Sequence, residues 1–271
     1  MICVNCNAEN HADAKFCTSC GQPFNQGNVQ TGDLGVNQGN VGTGQPVQPA
    51  EPNPTVEKAK VIGQSFWKYF LTGLKAPYRM SLTVGSQQAD LINGLITLIL
   101  FALSVPFTGY LATNHYANSL LGSFSSTVKP PFFESVIKPF IFMVIFIAIL
   151  VAILFAVSRL MKSEIDFMAV FTRFMTFMII PAGLVTLAFV VSLVNAYVFG
   201  GFLIFLAFSI MFLSGVASIF SIKTTTTHPG GIDVIYVIII HYIILFIVLL
   251  IFGDAMIGQL TNELDSLFSF F

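Results

Sequence analysis

The chain has 271 residues, of which 55% are hydrophobic and only 9% charged. Soluble domains carry about a quarter charged residues, so a mean hydropathy of +0.82 excludes an ordinary water-soluble fold. A formal net charge of −1 gives no bulk attraction to nucleic acid.

The first element, residues 1–24, holds all four cysteines: Cys3-x2-Cys6, ten residues, then Cys17-x2-Cys20. Each pair can set two thiolates on one side of a metal, and two such knuckles complete a tetrahedral shell. Gly21 permits the left-handed turn a knuckle needs, and Asn7 tolerates it. So short a segment buries too little surface to fold alone, so the metal must supply much of its stability. Three other uses of the thiols compete. Disulfides need an oxidising compartment. A rubredoxin-like iron site needs a larger aromatic shell than Phe16 and Phe24 offer, and a redox dithiol needs a strand–helix pattern absent here. Structural Zn2+ on Cys3, Cys6, Cys17 and Cys20 is the expectation, with His11 in a solvated loop. The paired Cys-x-x-Cys, the "AKFCTSCG" segment and their position at the front resemble the short zinc-ribbon domains of many bacterial membrane proteins. That resemblance implies a zinc module and no particular activity.

Residues 25–55 are rich in Gln, Asn, Gly and Pro, and Asn25–Val29 is echoed at Asn37–Val41. Such a stretch lacks the apolar residues that offset ordering entropy, so a flexible linker with a reach of roughly 30 Å is expected. Residues 56–80 then place Ala59, Ile62, Phe66, Tyr69, Phe70 and Leu74 near helical spacing, with Lys58, Lys60, Lys68 and Lys75 between them. This predicts an amphipathic helix on the cytoplasmic leaflet, with Trp67, Lys68, Tyr69 and Lys75 in the headgroup zone and anionic lipid as partner. Packing of the same helix against the spans is the plainer alternative.

Residues 81–271 read as a five-span helical membrane domain, with spans near 91–110, 139–157, 174–194, 198–222 and 234–252. Pro106 and Pro181 fall in or near spans, which membranes tolerate when neighbours satisfy the freed carbonyls. The predicted fold class is therefore an all-α polytopic membrane protein with a small N-terminal four-cysteine zinc ribbon. No basic stretch followed by an apolar run opens at Met1, so internal spans are expected to direct insertion. Lys15, Lys58, Lys60, Lys68, Lys75, Arg79, Arg159, Lys162, Arg173 and Lys223 fall on one side of the spans, and only Lys129 and Lys138 on the other. The positive-inside rule then puts the N-terminus in the cytoplasm and the C-terminus outside, in a multi-pass protein of the cell membrane. Thiols at that N-terminus stay reduced and available to zinc.

The segment "LKAPYRMSLT", Leu74–Thr83, ahead of the first span resembles the corresponding segment of bacterial Yip-like proteins, and a cytoplasmic front with five spans is similar to the Yip-domain (Ypt-interacting protein) family. The resemblance implies a membrane-organising scaffold without catalytic residues.

Within the spans, His241 is the one ionisable residue at mid-depth. An ionisable group there is a functional hypothesis by default; a neutral histidine bonded between helices is the plainer reading. Asn93, Thr186, Ser209, Ser214 and Ser218 are its candidate partners, while Asp90 and Asp233 suit capping at span ends. Ser214-x3-Ser218 offers a small-residue surface for intramolecular packing or a homo-oligomer. "KTTTTHPGG", Lys223–Gly231, lacks the order of a phosphate loop and reads as a polar cytoplasmic loop. Two functions follow: a non-enzymatic membrane adaptor presenting the ribbon to a cytoplasmic protein partner, or a transporter or channel-like subunit using His241 and polar span residues. Nucleic-acid binding is disfavoured because Lys15 is the ribbon's only basic residue.

Overall fold

A computed structural model describes Ile2, Glu9 and residues 54–121, 131–226 and 231–268, with the backbone alone described at 54, 117–118, 120–121 and 255–268. The chain divides into two units, Met1–Glu51 and Pro52–Phe271. In the first, an isolated antiparallel bridge joins Ile2 to Glu9. The four cysteines, His11, the linker to residue 53, Lys129 and the centre of the "KTTTTHPGG" loop lie outside the described residues.

The second unit is all helical among its described residues. In chain order these are α1 Pro54–Lys75, α2 Pro77–Ser81, α3 Gln88–Leu121, a π-helical turn Phe133–Ile137, α4 Lys138–Leu160, α5 Phe167–Phe177, α6 Ile179–Leu193, α7 Tyr197–Thr224 and α8 Val234–Phe268. Four stretches are long and apolar enough to cross a bilayer: Gln88–Tyr116, Phe133–Leu160, Tyr197–Thr224 and Val234–Asp254. Together α5 and α6 make a fifth candidate bent by 51°. The protein is therefore a multi-pass helical membrane protein with four such helices among the described residues, or five counting the bent pair.

The third span differs from the expected single run at 174–194. Its chain begins at Asp166, whose Oδ1 accepts from the Ala169 N–H at 2.6 Å and so caps α5. The break falls at Met178. Pro181 has no N–H to offer the Phe177 carbonyl four residues back, which removes one rung of the ladder. The Ser214 hydroxyl, arriving from α7, donates to that carbonyl at 3.3 Å. A proline thus bends the span, and a neighbouring helix supplies the missing donor.

The core lies where α4, α5, α6 and α7 meet, around Leu150, Leu154, Val170, Phe174, Met178 and Met211. α8 packs on α4 and α7 but leaves much of its apolar surface open; Phe246 is 62% exposed. An outward apolar face of that kind matches acyl chains.

The predicted interfacial helix becomes two elements, α1 and α2, separated at Ala76 with Pro77 at the start of the second. Phe66 and Phe70 flank Tyr69 and Ile179 in a small cluster. Tyr69 is therefore not exposed on the helix surface as Trp67 is: it is buried, with its hydroxyl 3.3 Å from Thr176 Oγ1. The helix spacing that put Tyr69 beside Trp67 in sequence turns the two rings to different sides. Trp67 stays exposed, stacked on Phe70 at 5.9 Å.

Candidate functional site

The end of α4 is built by a left-handed turn. The Met161 and Ser163 N–H groups donate to the Ser158 carbonyl and the Lys162 N–H to that of Arg159. This pattern closes a helix with a left-handed residue, usually glycine, just past its end; here Lys162 holds it at φ 54°. Arg159 Nη1 donates to the Ser163 carbonyl at 3.0 Å, and its guanidinium lies 4.6 Å from the Phe155 ring centre. The chain after the α7–α8 loop crosses this corner, with the Ile232 N–H donating to the Leu160 carbonyl. A Cβ at Gly231 would meet the Met161 carbonyl at 2.5 Å, so only glycine fits that crossing.

Facing this turn is the C-terminal end of α7. From α5, Arg173 reaches across and donates through Nη1 to the Ser221 carbonyl at 3.1 Å and to Thr225 Oγ1 at 2.8 Å. A cation there suits the negative end of the helix dipole. Arg173 is only 8% exposed, and its Nε has no hydrogen-bond partner among the described residues. Between the two helix ends lies a cavity of about 220 Å³ walled by Lys162, Ser163, Glu164, Arg173, Thr225 and Thr226.

Hydroxyls fasten α2 and the loop after it to the same end. Tyr78 shares a hydrogen bond with Thr224 at 2.8 Å, Ser81 donates to Ser221 at 2.8 Å, and Thr172 donates to the Gly85 carbonyl at 2.9 Å. The Ser86 hydroxyl, 2.6 Å from Asp166 Oδ2, and then the Ala169 amide hold the Asp166 carboxyl below the usual carboxylate range.

The residues singled out in the sequence fall in three places. Cys3, Cys6, Cys17 and Cys20 lie outside the described residues. Trp67, Lys68 and Lys75 are exposed on α1, while Tyr69 is buried. His241 is buried on α8, facing Leu150, Leu154, Phe174, Met211 and Gly215, and its Nδ1 has no partner among the described residues. Gly215 makes room for it, since a Cβ there would sit 2.8 Å from His241 Nε2. Four of the five polar residues proposed to bond it turn elsewhere. Thr186, Ser209 and Ser218 donate to carbonyls of their own helices, and Ser214 serves Ile210 and Phe177. Asp233 does cap α8, accepting from the Ile235 N–H at 2.9 Å, whereas Asp90, in the first turn of α3, ties down the preceding loop by accepting from the Gly85 N–H at 2.9 Å.

Arg173 is the functional candidate that sequence reasoning passed over, having counted it only as a charge at a span margin. The available signal was a lone cation inside the apolar run Phe171–Phe177, the pattern that pointed to His241. Thr225 and Thr226 were hidden in a stretch read as loop, although α7 runs to Thr224.

A family model described as "Domain of unknown function (DUF6574)" matches residues 57–261, from α1 through most of α8. The chain is 24% identical over 251 residues to the uncharacterized protein YvbI of Bacillus subtilis (strain 168), covering 90% of this chain and 91% of the relative. No solved structure matches the chain significantly. With three quarters of its length inside the matched segment, the helical unit and its polar cavity included, the chain belongs to the DUF6574 family.

Proposed function

We propose that the protein is an integral membrane scaffold whose helical bundle anchors a cytoplasmic zinc ribbon for recognition by a protein partner. The observation that carries this reading is the division of the chain at residue 51. All four thiols belong to one unit and all the bilayer-length helices to the other. Cys3, Cys6, Cys17 and Cys20 would hold the metal. Four thiolates form a donor set that suits tetrahedral zinc. Zinc would supply folding energy there and no chemistry. The excess of Lys and Arg on one side of the spans supports a cytoplasmic N-terminus and an outer C-terminus. A scaffold role is also what the Yip-like resemblance implies.

The apolar setting of His241 favours this reading over a transport path, because a conducted ion or polar solute would find no second polar side chain bonded to it among the described residues. The test is Cys17→Ser in the full chain. Wild-type protein should bind stoichiometric zinc and retain a crosslinked partner in cells. The variant should lose both while remaining in the membrane fraction. Retention of partner by a variant shown to be metal-free would overturn the adaptor reading.

A further inference from the structure

We propose that the cavity between the α4–α5 turn and the end of α7 binds a phosphate group, held by Arg173 and Lys162. The inference stands apart from the adaptor reading, since none of its residues lies in the N-terminal unit.

The first observation is an uncompensated cation. Arg173 is almost wholly withdrawn from solvent, and a buried cation ordinarily pairs with a carboxylate. The Lys138–Glu134 ion pair lies in a different part of the fold, and Arg173 makes none with a described carboxylate. Arg173 instead meets two neutral acceptors, Ser221 O and Thr225 Oγ1, and its Nε meets none. A cavity beside such a group is where an anion gains most from it.

The second is Lys162. At φ 54° it occupies a left-handed position where glycine would be unstrained and a residue with a Cβ is not. Lysine at this point puts a second positive charge on the cavity wall at the expense of backbone strain. Ser163, also on the wall, accepts the Ile165 N–H at 3.4 Å and keeps its own hydroxyl proton for an incoming oxygen. Glu164, which has an interaction of its own, shares the wall. Two cations against one carboxylate leave one net positive charge, which matches a singly charged phosphate group.

Size and depth agree. At about 30 Å³ per water, 220 Å³ holds about seven waters, room for a tetrahedral oxyanion with an ester carbon or part of its hydration. The cavity opens where two bilayer-length helices stop, at Leu160 and Thr224, the kind of helix end that lipid phosphates can reach. A lipid headgroup and free inorganic phosphate present the same chemistry there.

Thermal unfolding of the full-length protein in neutral detergent separates the sources. The probes are inorganic phosphate at constant ionic strength, dioctanoyl phosphatidylglycerol, and dioctanoylglycerol as the phosphate-free control. Stabilisation by both phosphates identifies a site open to the free ion; stabilisation by phosphatidylglycerol alone identifies a headgroup site. In either case Lys162→Gly should raise the half-maximal concentration about tenfold, the loss of one charge-assisted hydrogen bond, and Arg173→Gln should raise it further. Without ligand, Lys162→Gly should unfold at the same temperature as wild type or higher, because glycine relaxes the left-handed turn. That variant keeps the test valid even if Arg173→Gln does not fold. The proposal fails if neither phosphate stabilises the protein, if dioctanoylglycerol acts as well as phosphatidylglycerol, or if Lys162→Gly responds as wild type does.

Discussion

Tyr69 couples the segment ahead of the first span to the bundle, and its hydroxyl is the part that titrates. Burial pushes its pKa up from the usual 10 to about 12, with the Thr176 hydroxyl acting in the opposite sense. A raised folded-state value means that the stability it contributes is complete below pH 10 and is lost as pH climbs from about 10 to 12. Tyr69→Phe should remove that alkaline step from a series of unfolding measurements and cost about 1 kcal/mol at neutral pH through the lost hydrogen bond. An unchanged alkaline profile in the variant would assign the step to other groups. At this scale the sequence was half legible. Spacing put Tyr69 on a helix, and its chemistry suited a headgroup zone, but the side it faces depends on Ile179 and Thr176, more than a hundred residues away. Arg173 was illegible for a similar reason. Its partners, Ser221 and Thr225, are four residues apart on one helix end, and nothing in the local pattern joins them to α5.

The helical elements were far more legible than their joints. Runs of apolar residues located the long helices, because each must satisfy its own backbone in lipid. Bends are set by single residues and by what arrives to repair them. Pro181 announced a disturbance in the third span, whereas the donor that makes it tolerable, Ser214, sits on the next helix. Ser214→Ala leaves the Phe177 carbonyl without that hydroxyl and should destabilise the bundle by about 0.5–1.5 kcal/mol, within the range of interhelical hydrogen bonds in membranes. Ser209→Ala is the matched control: its hydroxyl bonds only the Phe205 carbonyl of its own helix and faces outward, so its effect should be near zero. Equal losses from the two variants would mean that Ser214 does nothing for the bend. The same position bears on the Ser214-x3-Ser218 surface, which is buried against its own chain and so serves packing within the molecule.

For the molecule as a whole, the helical membrane character followed from composition, while orientation rests on charge. Proposed orientation makes a direct prediction. In intact cells, an epitope tag placed after Phe271 should be reached by antibody, and one placed before Met1 only after permeabilisation. The reverse pattern would overturn the cytoplasmic ribbon and leave the helical fold untouched. Most of the spans were legible because lipid imposes length; the third was read as one run at 174–194, and its division into α5 and α6 was not. The polar cavity was not legible at all, since it arises where the ends of α4 and α7 meet beside Arg173 of α5.

Helix length carries a last consequence. α8 has 35 residues and α3 has 34, so each is about 50 Å long at 1.5 Å per residue, against about 30 Å of hydrocarbon. With the bent pair counted as one span, the C-terminal ends of both fall on one side. There the last turns of α8 carry Asp254, Glu263 and Asp265 and no lysine or arginine. Each rod is thus about 20 Å longer than the hydrocarbon it would cross at right angles, and α8 carries negative charge in its last turns. Where that excess lies at the C-terminal end of α8, whatever approaches there would meet carboxylates before lipid.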